Sequence, residues 1–315
     1  MSHSRVQIAV LLVVIAVCMA LFNGIGSRGQ SRNPDTPGVR TAVKPVLKSM
    51  DSSSGSESEP SNKAVVASPI FAEAATSNMQ LSTQINWIFG GTQQQGWYLY
   101  TPLISRLLNT EHDTASAGFA GALSQWQEKC GLNPNGVLDE ESLYAMVSDW
   151  QGRRIKDRSY AEPGQLITAP ASDFYDPSRP DELRQVQRET YRAYKAMVAA
   201  AAADPSLGLD LAGPGELSPA EKYLKIISAF RSHEYQERLR RESPNAGSAG
   251  LAVNSPHFTG RALDLYVGAD PVDTRDSNRA IQVKTHVYQW LVKNAESFGF
   301  QPYFYEPWHW EYVKK

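Results

Sequence analysis

Ser255-Pro256-His257-Phe258-Thr259-Gly260-Arg261-Ala262-Leu263-Asp264-Leu265-Tyr266-Val267 is the stretch on which the fold of this 315-residue chain turns. It sets a His and an Asp seven positions apart, joined by Gly260, a residue that permits a tight turn. From Leu263 onward the residues alternate as in a strand, with Asp264 and Tyr266 on the face opposite Leu263, Leu265 and Val267. A carboxylate in such a strand needs a partner if it is buried. A second cluster, Glu306-Pro307-Trp308-His309-Trp310-Glu311-Tyr312, follows an aromatic run at 303–305 that reads as a strand. Pro307 biases Glu306 away from helical geometry, so Glu306 and His309 are expected on a bend between strands, which can aim both at one point.

Two neutral imidazoles and one carboxylate, here His257, Asp264 and His309, form a catalytic zinc set that leaves a fourth position for water. Zinc so held lowers the pKa of that water and polarises a carbonyl. Glu306, a carboxylate outside the ligand set, could take the water's proton and return it to a leaving amine. Arg231 lies in Ser228-Ala229-Phe230-Arg231-Ser232-His233-Glu234-Tyr235-Gln236, just after an apolar strand expected at 226–230. It is the candidate cation for an anionic tetrahedral intermediate. A structural zinc is the competing reading, but such sites usually close with four protein ligands and these motifs supply no fourth.

The pattern Ser-x-His-x-x-Gly-x-Ala-x-Asp, followed by Glu-x-Trp-His and preceded by an Arg-Ser segment with a Gln five positions after the Arg, resembles the VanY-type D-alanyl-D-alanine carboxypeptidases over residues 181–313. That family shares its metal site with D-alanyl-D-alanine dipeptidases, lysostaphin-type endopeptidases and the hedgehog signalling domain. The resemblance implies an α+β fold, a small antiparallel sheet flanked by helices. It implies Zn2+ on His257, Asp264 and His309, Glu306 as base, and Arg231 near the scissile carbonyl or substrate carboxylate. It also places Ser255 and Gln236 beside the substrate. Trp308 and Trp310 read as floor and core, with Trp308 a candidate for lining the pocket. A helix at 282–298, with Val287, Trp290, Leu291, Ala295 and Phe298 on one face, looks like the family's helix before its final strands. Arg261 and Glu311 read as a solvated charge pair, His233 as solvent-facing, and His3, His112 and His286 match no motif position.

Working outward, helical spacing of Leu183, Val186, Tyr191, Tyr194 and Met197 predicts a long helix over 180–203, closed by Asp204-Pro205, and a short helix is expected at 219–225. A polar connector with Pro163 and Pro170 occupies 153–175. Before it, Phe119, Leu123, Trp126 and Gln127 recur at helical spacing, Gly131 stops that helix, Asn135-Gly136 turns the chain, and Asp139-Glu140-Glu141 opens the next helix with acidic residues. Trp126-Gln127, Gly131-Leu132, Gly136 and Asp139 to Leu143 make residues 81–152 similar to the small all-α, three-helix peptidoglycan-binding domain. The chain departs from that family in having Asn135-Gly136 and then Asp139 where an Asp-Gly turn with a second glycine is usual. A generic helical spacer is the alternative.

Residues 27–80 are rich in Ser, Pro, Asn and Gly and read as a disordered linker. Residues 1–26 carry Arg5 ahead of an unbroken apolar run at 8–22, the build of a signal peptide or of a membrane anchor; both stay open. Cys18 follows a bulky Val17, which argues against lipidation. With Cys130 it is the full cysteine complement, so neither a disulfide framework nor a thiolate metal site is available. A net charge of -2 lacks the basic footprint of a nucleic-acid binder.

Together these readings predict an exported zinc metallopeptidase with its catalytic domain at 176–315. The address is the periplasm or cell envelope, with the inner membrane as a contact if the apolar segment is retained. The expected partners are peptidoglycan peptides and the expected reaction is removal of a terminal D-alanine. An endopeptidase and a non-catalytic zinc-containing cell-wall binder are the alternatives.

Overall fold

The computed structural model describes residues 69–242 and 254–313. The apolar segment at 8–22, Cys18 and most of the expected linker lie outside the described residues.

Helix α1, Pro69–Gln84, lies where the linker was expected to continue to residue 80. Its small residues Ala74 and Ala75 are buried, and Asn78 clamps a distant turn. The Asn78 amide donates to the Gly136 carbonyl at 2.9 Å, and its oxygen accepts from the Leu138 amide at 2.8 Å. Those long-range bonds outweigh the polar local composition. A hairpin follows, β1 Asn86–Phe89 with β2 Thr92–Gln95, turned by Gly90 and Gly91 at positive φ. Helices α2 Thr101–Leu108, α3 Ala117–Lys129 and α4 Glu140–Arg153 complete the unit, which therefore contains strands as well as helices. Ser116 and Asp139 cap α3 and α4 through bonds to the Phe119 and Ser142 amides. Gly131 ends α3 at φ 72, as its position predicts. The buried Gln127 amide donates to the Val137 carbonyl and Ser142 hydroxyl, and its oxygen accepts from the Gly136 amide.

The later part of the expected connector belongs to the second unit. Strand β3, Leu166–Thr168, pairs antiparallel with β4, Gln185–Gln187. The helix predicted over 180–203 consequently starts only at Arg188: α5 is Arg188–Ala202, capped by the Gln187 side chain on the Thr190 amide. A small hairpin, β5 Leu211–Gly213 with β6 Glu216–Leu217, leads to residues 219–225. No helix forms there, because the Glu221 carboxylate captures the amides of Asp210, Lys222 and Tyr223 and folds the segment into turns.

The central sheet is antiparallel and contains β7 Ile226–Ser228, β8 Ala262–Leu265, β9 Phe300–Pro302 and β10 His309–Tyr312 in the order β7-β8-β10-β9. Helix α6, His233–Glu242, follows β7. The helix predicted over 282–298 is split: α7 Asp276–Gln282 ends, Thr285 caps a new helix α8 His286–Asn294, and a 3-10 turn spans Ala295–Phe298. Val287, Leu291 and Ala295 are buried on one face, as the spacing requires. The strand expected at 303–305 lies one step earlier, at β9; Tyr303, Phe304 and Tyr305 instead form the turn that leads to Glu306.

That turn joins the two units. The ring of Phe304 meets Trp87, Phe89, Tyr100 and Trp150 of the first unit, with the Phe89 ring centroid at 4.6 Å. Burial of several aromatic rings at one seam is a large apolar contribution, because each ring removes about 150–250 Å² from water. The core is continuous across both units.

Candidate metal centre

Antiparallel register places the first two ligand candidates. His309 opens β10 directly opposite Asp264 of β8, and their Nδ1 and Oδ1 atoms are 2.9 Å apart. Asp264 faces inward because its strand is covered on both sides, and it is fully buried. His257 arrives from a 3-10 turn, Pro256–Thr259, which Ser255 caps by accepting from the His257 amide. Gly260 ends that turn at φ 64. A Cβ there would meet Leu166 Cδ2 at 2.9 Å and the Gln187 amide at 3.0 Å, so both conformation and space require glycine. The His257 Nε2 atom lies 3.3 Å from Asp264 Oδ2.

Among the described residues, one group of His, Cys, Asp and Glu side chains could hold a metal: His257, Asp264 and His309, whose ligand atoms lie within 4.8 Å of one another. The tautomers fit that use. His257 Nδ1 donates to the Ala229 carbonyl at 2.6 Å, which leaves Nε2 as a lone-pair donor; this buried atom makes no hydrogen bond among the described residues. On His309 both ring nitrogens face carboxylates, so a metal taking Nδ1 would displace a proton there. The His309 Nε2 lies 3.2 Å from Glu311 Oε1 and its Nδ1 faces Asp264. An orphaned imidazole nitrogen, a second imidazole and a buried carboxylate match the donor set of a catalytic zinc.

Glu306 stands at the edge of this group, with Oε2 3.9 Å from His309 Nδ1. Its backbone is fixed by the turn, where the Glu306 amide donates to the Tyr303 carbonyl and the His309 amide donates to the Glu306 carbonyl. Burial raises its carboxyl to about 7, against the pull of His309. Arg231 is buried, with Nη2 3.4 Å from Asp264 Oδ2 and with Nε and Nη2 donating to the Ser228 hydroxyl. Burial opposes the ionised form of Asp264, but the charges and hydrogen bonds of His257 and His309 hold the carboxyl far below its usual range.

The structure brings His257, Asp264, His309, Glu306 and Arg231 together. Gln236 lies buried on α6 with an oxygen that has no hydrogen-bond partner among the described residues, and Trp308 is fully buried with its indole N–H in the same condition. Ser255 acts as the cap of the His257 turn. His233 is exposed and stacks on Tyr160 at 4.5 Å.

Glu311 overturns the expectation of a solvated pair with Arg261. It is fully buried, and its carboxylate binds Arg154, the Ile155 amide and His309 Nε2, while Arg261 donates to the Asp157 carbonyl. A signal was present: Glu311 is two positions from His309 on a strand, hence on the same face. Its partner, 157 positions away, left no local trace. Arg179, also not singled out, brings a half-buried guanidinium within electrostatic range. Burial lowers its pKa, and Tyr235, Arg231, Asp176 and Asp264 all act on it.

Residues 183–315 match the family model described as VanY: D-alanyl-D-alanine carboxypeptidase. The C-terminal unit is a VanY domain. The match covers less than half of the chain and leaves the helical unit unassigned, and no curated protein matches the chain. The VanY domain makes the C-terminal unit a peptidase of the carboxypeptidase type that acts on cell-wall peptides. Its family is generally metal-dependent, and its α+β architecture is the one the motifs predict.

Proposed function

We propose that the chain is an exported zinc D-alanyl-D-alanine carboxypeptidase that trims the terminal D-alanine from peptidoglycan stem peptides. The observation that carries the reading is the placement of Glu306, buried at the lip of the His257, Asp264 and His309 group, with its carboxylate 3.9 Å from a ligand nitrogen. A non-catalytic zinc binder has no use for a base there.

Zinc, when bound, supplies Lewis acidity, making water acidic enough to attack at neutral pH and polarising a carbonyl oxygen. The chain's own groups do the rest. Glu306 accepts the proton of the attacking water on its carboxylate and passes it to the amine nitrogen as the peptide bond breaks, so no net proton is consumed by the protein. Burial raises its carboxyl in the metal-free chain, and a cation bound beside it would favour the carboxylate form that accepts the proton. Arg231 contributes fixed positive charge beside the reacting carbonyl or the substrate's terminal carboxylate. Asp264, gripped by Arg231 and facing both imidazoles, keeps the ligand set anionic and in register. Ser255, Gln236 and Trp308 are proposed to line the substrate side.

Export rests on the apolar run at 8–22 and wall binding by the helical unit on its Trp126-Gln127, Gly131-Leu132 and Gly136 motif; both are part of this proposal. The test is incubation of the purified chain with defined muropeptides, with and without chelator, followed by mass analysis. Chelator-sensitive loss of single alanines is expected. Release of dipeptides or cleavage of cross-links would instead make it an endopeptidase, and no chelator-sensitive cleavage at all would contradict the proposal.

A further inference from the structure

The side chain that completes the His309 environment comes from the helical unit, not from the VanY domain. Arg154 is the residue that closes α4, and it is buried. Its Nε donates to Glu311 Oε1 at 3.0 Å, and its Nη2 also contacts that oxygen. The next amide, Ile155, donates to Glu311 Oε2 at 2.9 Å, so both carboxylate oxygens are held by consecutive residues at one helix end. Glu311 Oε1 in turn sits 3.2 Å from His309 Nε2. The same guanidinium lies 3.9 Å from the ring centroid of Tyr303, the residue whose carbonyl accepts from the Glu306 amide, and Gln151 Oε1 steadies its other arm at 2.8 Å.

We propose that Arg154 is a positioning residue of the metal centre, making the helical unit a structural component of the peptidase site. This rests on the reading of His309 as a metal ligand. An imidazole can offer either nitrogen, and a carboxylate behind one nitrogen commits the other to the metal and raises its basicity. Glu311 plays that part for Nδ1 of His309. A lone buried carboxylate would be poorly tolerated and free to turn. The planar fork of Arg154 with the Ile155 amide fixes it, as a lysine's point charge would not. Arg154 also supports Tyr303, so one side chain braces both the ligand and the turn that carries the base.

The test uses the full chain and reads zinc affinity by chelator competition together with the visible absorption of the cobalt-substituted protein. R154M is expected to weaken zinc binding, by at most the roughly 10–100-fold that losing the outer partner of a ligating histidine itself costs, and to alter the cobalt spectrum. R154K should recover part of the affinity. Because R154M strands a buried charge, the double variant R154M/E311M is measured alongside it; it is expected to regain thermal stability while zinc binding stays weak. If R154M, or R154K where R154M does not fold, binds zinc with wild-type affinity and an unchanged cobalt spectrum, Arg154 is merely a structural tie and the inference is overturned. Failure of the underlying reading looks different: wild-type chain would not bind zinc, or H257A would bind it as well as wild type.

Discussion

Asp264 and His309 face each other as a register pair of β8 and β10, with Oδ1 and Nδ1 2.9 Å apart, so backbone pairing alone delivers two of the three ligand candidates. Asp264 also holds Arg231 and lies 3.3 Å from His257 Nε2. Substituting D264A therefore removes a ligand and strands a buried guanidinium. The expected outcome is loss of stoichiometric metal together with a fall in the stability of the metal-free chain of about 3–5 kcal/mol, the usual cost of breaking a buried pair. Metal analysis and denaturant unfolding check both parts.

Metal uptake should release a proton from His309. Burial alone would lower this imidazole, but hydrogen bonds to Asp264 and Glu311 override it and push it up to about 9 in the metal-free chain. Below that pH the metal displaces a proton, so affinity is expected to climb with pH until about 9. Calorimetry at pH 7.5 in buffers of different ionisation enthalpy should report about one proton released per metal; an affinity independent of pH between 6 and 8 would contradict it.

The metal-free chain has a linked stability profile. The raised His309 contributes stability that is present below the ordinary imidazole pKa and is lost as pH rises through about 9. Glu306, raised to about 7 by burial, acts in the same direction, since its neutral form suits the fold better than its charged form. Asp264 and Glu311, held well below the usual carboxylate range against their burial, contribute stability that is lost as pH falls through the acid range. His257, held below its ordinary range by burial, acts in the opposite sense as pH falls, so denaturant midpoints should decline both in acid and toward pH 9. Added zinc should flatten the alkaline limb.

Gly260 offers a test of the turn between ligands. Alanine there meets both a positive φ and two atoms at 2.9 and 3.0 Å. G260A is expected to cost more than about 1 kcal/mol, a shift of the melting temperature of at least about 2–4 °C. It should also weaken metal binding, because His257 and Asp264 hang from opposite ends of that turn.

The clustering of the candidate ligands with the candidate base, and the turn glycine, were legible because each depends on local chemistry: a His and an Asp around a glycine, and a proline that bends the chain before His309. What escaped reading depends on distant partners. Residues 180–187 carry helical spacing, yet β4 is claimed by β3, and α5 starts later. Residues 219–225 fail to form a helix because one glutamate captures three amides. Residues 69–80 look like linker by composition but are tied by Asn78 to a turn some 60 positions away. Glu311 looked like a surface charge because Arg154 comes from the other unit.

The most direct test of the account is the single substitution E306Q, assayed on a muropeptide ending in D-alanyl-D-alanine with bound zinc measured in the same preparation. Retained zinc with kcat lowered about 10²–10⁴-fold, the range for loss of a general base, is the predicted result. Release of alanine at the wild-type rate by the zinc-loaded E306Q chain would contradict it.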